Sequence, residues 1–206
     1  VRKKEVTVSV DLLNPTQQTV ATAQVNYKVA ADGKMKVVAT VKPDTAVVRS
    51  LARIGWAFEM PGQYDRVQYL GRGDVETYAD RKACGKIGIY HTSPERMFHY
   101  YVTPQSTGNR TDVRWVALTG KTGKGWRFAS ATPFQFSALP YPDRNIDASR
   151  HIDELRRNGN VNVHLDAEQA GVGTATCGPG VRPEYRVKVE EKTFEFIIEP
   201  VNEDRR

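Results

Sequence analysis

The strongest constraint on the fold is an alternation of apolar and polar residues with a period of two. Near the amino terminus, Val6, Val8 and Val10 alternate with Thr7 and Ser9. Successive side chains of a β-strand point to opposite faces, so this alternation predicts a half-buried strand. The pattern recurs along most of the chain, whereas the 3.6-residue period of an amphipathic helix is rare. The sequence therefore predicts a protein built mainly from strands.

Turn residues divide the alternating stretches into separate strands. Asp32-Gly33 predicts a tight hairpin turn, and Pro61-Gly62 predicts another turn. Ser93-Pro94 predicts a short helix, because serine caps helices and proline suits the first helical position. A second helix is predicted over residues 145–156. The predicted strands after the first are residues 25–29, 35–41, 48–60, 64–70, 86–91, 113–119, 125–131, 134–138, 161–165, 185–189 and 193–198.

These elements predict an all-β fold with one or two short helices, arranged as an antiparallel sandwich in a single domain over residues 1–206. Residues 202–206 are expected to form a frayed tail. A length of 206 residues is too short for a typical (β/α)₈ barrel, which takes about 250 residues. A barrel enzyme is therefore excluded for this chain.

Charge and hydropathy argue against two classes of partner. The formal net charge is +6, but the 30 Lys and Arg residues are interleaved with 24 Asp and Glu residues. A nucleic-acid-binding protein concentrates its basic residues on one face or helix. No apolar run approaches the roughly 20 residues of a membrane helix. We therefore expect neither nucleic acid nor a membrane as a partner. Cys84 and Cys177 form no metal-binding pattern, and they leave the choice between cytoplasm and periplasm open.

Three acidic or imidazole side chains near the end of a predicted strand could bind a metal. His164, Asp166 and Glu168 are spaced to share one strand face. A polar strand face explains them better, since no fourth ligand is nearby. We therefore expect no metal site in this chain.

A second acidic group could act as a catalytic pair on a sugar. It contains Asp74, Glu76 and Asp80. Glycoside hydrolysis requires one carboxyl with a raised pKa. Arg72 and Arg81 flank these acids, which would lower their pKa values and favours structural ion pairs. We expect no catalytic residue in this chain.

A glycine-rich stretch near the carboxyl terminus contains Cys177. It holds four glycines and a proline between Gly171 and Gly180, so it is expected to be a sharply bent loop. A nucleophilic role for Cys177 would need a base such as His164 or His151, and nothing in the sequence fixes that geometry. We interpret Cys177 as a contact residue.

Four ordered motifs resemble the carboxyl-terminal domain of β-galactosidases of glycoside hydrolase family two. Residues 69–81 read YLGRGDVETYADR, and residues 104–115 read PQSTGNRTDVRW. The third motif combines residues 134–139, FQFSAL, with the segment through His151 and Leu155. The fourth runs from Asp166 to Pro179. The resemblance covers about residues 51–200.

The resemblance implies a large antiparallel β-supersandwich related to the galactose mutarotase-like fold. In that family the two catalytic glutamates lie on a separate (β/α)₈ barrel, which would be the partner of this domain. The domain's opening strands would precede Val1. No cofactor is implied for this chain, whereas Mg and Na would bind other domains of the parent enzyme. The parent would act on galactosides and form a homo-oligomer.

The resemblance also implies roles for individual residues. Cys177, Gly173 and Gly178 would shape the substrate rim on the aglycone side, and Asp166 and Gln169 would hold the loop by hydrogen bonds. A larger group would fix the geometry of the domain: Gly71, Gly73, Glu76, Tyr78, Asp80, Arg81, Asn109, Arg114 and Trp115. One departure is Ser106, where the resembling motif has Glu, and this change could weaken a local ion pair.

Two other functions are consistent with the composition. A free-standing carbohydrate-binding module would use Trp56, Trp115 and Trp126 as stacking platforms. A sugar epimerase of the mutarotase type would use a histidine acid and a carboxylate base. The histidines available for that chemistry are His91, His99, His151 and His164.

Overall fold

The computed structural model describes residues 4–174 and 178–202 as an antiparallel β-structure with two short α-helices. The strands are β1 Lys4–Leu13, β2 Thr19–Val29, β3 Met35–Pro43, β4 Arg53–Pro61, β5 Arg66–Gly73, β6 Lys86–Thr92, β7 Arg110–Thr119, β8 Lys124–Leu139, β9 Asn160–Gln169 and β10 Lys192–Asn202. The helices are α1 Pro94–Met97 and α2 Asp143–Ala148. The predicted all-β antiparallel fold with short helices is confirmed.

Strand β8 organises the sheet. The main order is β1-β2-β3-β10-β8-β7-β5-β6. Residues 124–129 of β8 pair with β10, and residues 135–139 pair with β9, which in turn pairs with β4. The sheet therefore branches at β8 and adds the β4–β9 pair, which carries several of the site residues.

The core is formed by the inward faces of these strands. Phe58 of β4 contacts Phe128 of β8 with ring centroids 5.2 Å apart. Tyr69 of β5 meets the edge of Phe136 with centroids 5.0 Å apart. Fully burying an apolar side chain contributes about 1.5–3 kcal/mol. The first contact packs β4 against the main sheet, and the second packs β5 against β8 within that sheet.

Strand β1 differs from its predicted half-buried state. All ten of its residues are exposed, and Val6 retains 58% of its accessible surface. The alternation correctly predicts a strand, but β1 is an edge strand that pairs only with β2. Alternation reports which residues share a face, whereas burial requires a second layer on that face.

Two predicted strands have different bounds. The strand predicted over residues 48–60 begins only at Arg53, because the amides of Val47 and Val48 turn back to the carbonyl of Asp44. The strands predicted at 125–131 and 134–138 form the single strand β8. Pro133 falls between its two paired parts, so its missing N–H breaks no ladder hydrogen bond.

The second predicted helix is much shorter than residues 145–156. Helix α2 ends at Ala148, and a separate 3₁₀ turn covers Ile152–Glu154. The hydroxyl of Ser149 donates to the carbonyl of Asn145 at 2.8 Å, and the Asn145 side chain accepts from the amide of Arg156 at 2.5 Å. The Ser149 amide still donates to the carbonyls of Asn145 and Ile146, but the backbone of Ser149 is extended, and this ends the helix.

The carboxyl-terminal elements also differ from expectation. No strand forms at residues 185–189: Tyr185 ends a 3₁₀ turn, Pro183–Tyr185, and Val187 makes only an isolated antiparallel bridge with Leu51. Asn202, expected in a frayed tail, ends β10 opposite Lys124, and the rest of that tail lies outside the described residues.

Helix α1 agrees with its prediction. The Ser93 hydroxyl accepts a hydrogen bond from the amide of Arg96 at 3.3 Å, and Pro94 is the first helical residue. Neither helix in residues 4–174 and 178–202 is long and apolar enough to cross a membrane.

Candidate glycine-loop site

The glycine loop, residues 171–180, follows β9 and starts against the side chain of Asp80. The Asp80 carboxylate accepts hydrogen bonds from the amides of Val172 at 3.0 Å and Gly173 at 2.7 Å. Gly171 allows this approach, because a Cβ there would lie 2.4 Å from Asp80 Cγ. Hydrogen bonds to a carboxylate are stronger than neutral ones. Asp80 therefore anchors the start of the loop.

The turn of residues 78–81 positions Asp80. Tyr78 and Arg81 exchange backbone hydrogen bonds of 3.1 and 2.9 Å across it. The Arg81 guanidinium lies over the Tyr78 ring, 5.3 Å from its centroid. Tyr78 is only 1% exposed, and burial raises its pKa, so the ring stays neutral. Its hydroxyl donates to the carbonyl of Ser106 at 3.4 Å.

Glu76 is the centre of a cluster of hydrogen bonds below this turn. It accepts from the hydroxyls of Tyr101 at 2.6 Å and Thr107 at 2.8 Å, from the amide of Gly108 at 2.6 Å, and from Arg81. Burial alone would raise the pKa of Glu76, but these bonds and the Arg81 charge together lower it below the ordinary value of a glutamate. Glu76 is therefore an ionised structural acceptor.

Asn109 extends the network toward β9. Its amide donates to the carbonyl of Thr77 at 2.9 Å and to Gln135 Oε1 at 2.7 Å. The Gln135 amide donates in turn to the carbonyl of Gln169 at 3.3 Å. Gln169 Nε2 donates to Ser106 Oγ at 3.5 Å. Gln169 therefore links Gln135 to Ser106 just before the loop. Among the described residues, it makes no hydrogen bond to the loop itself.

Asp166, which the resemblance assigned to holding the loop, lies elsewhere. It is 1% exposed on β9, and its Oδ2 faces Arg53 Nη1 of β4 at 3.8 Å. Arg53 Nη2 donates to Ser106 Oγ at 3.0 Å. A glutamate at position 106 could form an ion pair with this guanidinium. Ser106 offers only a neutral hydroxyl, so its hydrogen bond with Arg53 is weaker than that ion pair. Asp80, and not Asp166, holds the described part of the loop.

The possible metal group on β9 is divided between two faces. Ile54 and Gly55 pair with Glu168 and Asp166, so Ala167 is the extra residue of a β-bulge. A bulge moves the following side chains to the other face. Glu168 pairs with Lys192, whereas His164 Nε2 lies 2.9 Å from Asp143 Oδ2. No group of three His, Cys, Asp or Glu side chains able to hold a metal occurs in the described part of the chain.

Several residues assigned by the resemblance lie away from the loop. Gly71 and Gly73 belong to β5, where a Cβ would lie 2.8 Å from Val113 Cγ2 and 2.2 Å from the Tyr69 hydroxyl, respectively. They allow tight packing of β5. Arg114 is exposed on β7 and donates to the carbonyl of Asp112. The resemblance implies that Arg114 fixes the geometry of the domain, but its side chain lies on the exposed side of β7.

Two of the three tryptophans pack against other side chains, and the third is exposed. Trp56 packs against Phe58 with ring centroids 4.7 Å apart, and Arg127 covers Trp115 at 5.0 Å. Trp126 is 40% exposed. A flat aromatic platform of adjacent tryptophans is therefore not formed by these three residues.

The predicted rim residues are described in part. Gly173 has φ +57°, a left-handed conformation that favours glycine, and a Cβ at Gly178 would lie 2.8 Å from Thr174 Oγ1. Cys177 lies outside the described residues. An open groove of about 480 Å³ runs beside the loop and is lined by Asp80, Arg81, Val172, Gly173, Thr174, Pro179, Gly180, Arg182 and Tyr185.

Sequence reasoning missed two supports of this site. Tyr185 accepts a hydrogen bond from the amide of Gly171 through its carbonyl at 2.9 Å, and Tyr101 bonds Glu76. Neither lies in one of the quoted motifs. Thr107 and Gly108 do lie in the second motif, so that motif already contains two of the hydrogen-bond donors to Glu76.

Comparison with known proteins identifies the family. The family model described as "Beta galactosidase small chain" matches residues 1–198. The chain belongs to this β-galactosidase small-chain family. A β-galactosidase from Priestia megaterium is 32% identical over 168 residues, which covers 82% of this chain and 16% of that protein. Beta-galactosidase BgaC from Bifidobacterium adolescentis is 39% identical over 123 residues, which covers 58% of this chain and 11% of that protein.

This small-chain family member therefore spans a minor part of the length of its curated relatives. Among solved structures, the chain is similar to a GalM/aldose epimerase homologue from C. elegans. The TM-score is 0.45 at 10% sequence identity, and the match covers 97% of this chain and 68% of that chain.

Proposed function

We propose that this chain is the carboxyl-terminal sandwich domain of a β-galactosidase and completes the rim of its active site. The main supporting observation is a clamp, in which the Asp80 carboxylate accepts hydrogen bonds from the amides of Val172 and Gly173. Such a clamp presents a glycine-rich backbone in one conformation. A loop of this kind suits contact with a substrate held by another domain. The family and the small share of the relatives' length support the proposal.

The acidic side chains near the glycine loop are better suited to holding the loop and its surroundings in place than to cleaving a glycosidic bond. A glycosidase acid must be protonated at working pH, which requires a raised pKa. The pKa of Glu76 is lowered, and its oxygens accept four hydrogen bonds. Burial raises the pKa of Asp166 to about 6, but its carboxyl is enclosed against Arg53. The catalytic acids would therefore come from a separate (β/α)₈ barrel.

The remaining parts of the proposal concern the parent enzyme. The barrel domain and a galactoside would be the partners of this domain, and the parent would be a homo-oligomer. Mg and Na would bind on other domains. Cys177, Gly173 and Gly178 would lie at the aglycone side of the substrate.

Activity reconstitution tests the proposed function. The purified chain alone is expected to release no chromophore from a nitrophenyl β-galactoside above the buffer rate. Mixed with a β-galactosidase polypeptide that carries the barrel but lacks this domain, it should raise hydrolysis by about 10²-fold, the cost of a misplaced substrate.

The exposed acid Asp65 provides the matched control for this mixture. The Asp65→Ala chain should restore hydrolysis as well as the unmodified chain, whereas Asp80→Ala should restore it poorly. Robust turnover by the isolated chain, or no gain on mixing, would contradict the proposal.

A further inference from the structure

Strand β1 has an uncovered apolar face. This face continues rows that are buried further into the sheet, because Val8 pairs with Val25 of β2, which pairs with Ala39 of β3. Ala39 is only 7% exposed, whereas Val8 is 41% exposed. The layer that covers β3 therefore ends before β1. The exposed apolar side chains along this face of β1 are Val6, Val8, Val10 and Leu12.

The outer edge of β1 is also unpaired. Within residues 4–174 and 178–202, β1 pairs with β2 alone, and its register is regular from Lys4 to Leu12. An exposed edge strand presents a row of backbone donors and acceptors that can pair with another strand. Proteins protect such edges with proline, bulges or charged side chains, and residues 6–10 contain none of these. The edge is therefore suited to the addition of a strand.

The sequence of β1 is complementary to its own reverse. Directly opposite residues of an antiparallel pair point to the same side, so a register centred on a residue aligns the apolar faces of two copies. Centring on Ser9 sets Val8 opposite Val10 and Val6 opposite Leu12. All four apolar side chains of each copy then gain an apolar neighbour, and each such pair contributes about 0.2–1 kcal/mol. Every other centre within β1 sets at least one of the four opposite a polar residue.

The charges of β1 favour the same register. Moving the centre one residue toward the amino terminus would set Glu5 opposite Asp11 twice, and like charges directly opposite each other destabilise a sheet. Centring on Ser9 sets Asp11 opposite Thr7 instead. The Thr7 hydroxyl accepts a hydrogen bond from the side-chain amide of Asn26 at 2.9 Å, so its own hydrogen can be donated to Asp11 of the second copy.

We propose that two copies of this chain associate through β1, with the strands antiparallel and Ser9 of one copy opposite Ser9 of the other. A two-fold axis at Ser9 relates the two strands, so both copies use the same surface. The contact joins the two sheets into one and pairs both free β1 edges. It involves this chain alone, so its test needs no barrel domain and is independent of the proposed rim function.

Sedimentation equilibrium of the whole chain tests the association. The weight-average mass should rise from 23.1 kDa toward twice that value as the concentration increases. The expected dissociation constant is on the order of 10 µM, because a contact between two edge strands falls in the small, weak class of interfaces.

Val8→Lys tests whether β1 forms the contact. It sets an ammonium group opposite Val10 at two symmetry-related places, so the dissociation constant should rise by at least about tenfold. Ile89→Lys is the matched control. It makes the same kind of change on β6, the strand at the other end of the sheet, where Ile89 is 59% exposed. The control should leave the dissociation constant unchanged.

Disulfide cross-linking tests the register. In a variant whose Cys84 and Cys177 are replaced by serine, Ser9→Cys should form a covalent dimer under mild oxidation. Directly opposite Cα atoms lie about 4.5–5.5 Å apart, which suits a disulfide. Thr7→Cys should not cross-link, because the two Thr7 positions would be four residues apart along the strands, or about 13 Å.

Three results would overturn the proposal. The first is an unmodified chain that keeps the mass of one copy up to about 1 mM. The second is a dimer that Ile89→Lys dissociates and Val8→Lys does not, which would assign the contact to β6. The third is cross-linking of Thr7→Cys in place of Ser9→Cys. The first result comes from the unmodified chain, so it does not depend on the folding of any variant.

Discussion

The Glu76→Gln variant is expected to lose about 3 kcal/mol of unfolding free energy, because it replaces a carboxylate that accepts hydrogen bonds from four groups. One amide oxygen remains as an acceptor, but the new NH₂ group faces donors. The hydroxyls of Tyr101 and Thr107 can rotate, whereas the amide of Gly108 and the guanidinium of Arg81 cannot become acceptors. The side chain is 12% exposed, so water replaces the lost bonds poorly.

Thermal unfolding measures this loss. For a domain of this size each kcal/mol corresponds to about 2–4 °C, so the melting temperature should fall by about 6–12 °C. Glu190→Gln makes the same chemical change at an exposed position and should alter stability by less than about 0.5 kcal/mol. Equal melting temperatures for the two variants would show that the Glu76 cluster contributes nothing to stability.

The stability difference between the unmodified chain and Glu76→Gln should depend on pH. The pKa of Glu76 is lower in the folded than in the unfolded chain, so the ionised carboxylate stabilises the fold above the unfolded pKa. As the pH falls through the lowered folded pKa, Glu76 becomes protonated in both states and this contribution disappears. The difference in unfolding free energy should therefore be largest near neutral pH and shrink below about pH 4.5. A difference that grows on acidification would have the wrong sign.

Replacing Asp80 with alanine is expected to release the start of the glycine loop from the domain. The amides of Val172 and Gly173 would lose their carboxylate acceptor, with bonds of 3.0 and 2.7 Å. Two hydrogen bonds to a charged group at a half-exposed site contribute about 2 kcal/mol to local stability. Opening of the loop should therefore become about 30-fold more frequent, since each 1.4 kcal/mol is a factor of about ten.

Amide hydrogen exchange reports this opening directly. The Val172 and Gly173 amides should exchange faster by about that factor in Asp80→Ala, whereas amides of the central strand β8 should change much less. The exposed Asp65→Ala variant is the matched control and should leave both sets unchanged. If Asp166→Ala, and not Asp80→Ala, accelerated exchange of the loop amides, the anchor would have been assigned to the wrong acid.

Alternation predicted the existence of most strands, because the pleat imposes it on any half-buried sheet. It could not predict that β1 is exposed along its length, since its neighbours are set by strand order. The helix predicted at 145–156 failed for a local reason. The backbone becomes extended at Ser149, so α2 ends at Ala148, and the Asn145 side chain bonds the amide of Arg156 beyond the helix. Apolar spacing carries no information about such local features.

The β-bulge at Ala167 explains why the β9 residues were partly misread. A strict period of two places His164, Asp166 and Glu168 on one face. The extra residue moves Glu168 to the other face, where it meets Lys192, while Asp166 stays inside against Arg53. A bulge depends on the register with β4, which is a long-range property of the sheet.

The sequence by itself determined the strand-rich class, the resemblance to β-galactosidases and the residue types of the loop site. These depend on local patterns, such as alternation, the glycines of residues 171–180 and the motif around Glu76 and Asp80. Only the tertiary structure decided which acid holds the loop and which cation Asp166 faces. Asp80 and Val172 are 92 residues apart, and their hydrogen bond forms because strand order brings two distant loops together. No local sequence pattern predicts this contact between residues that are distant in the chain.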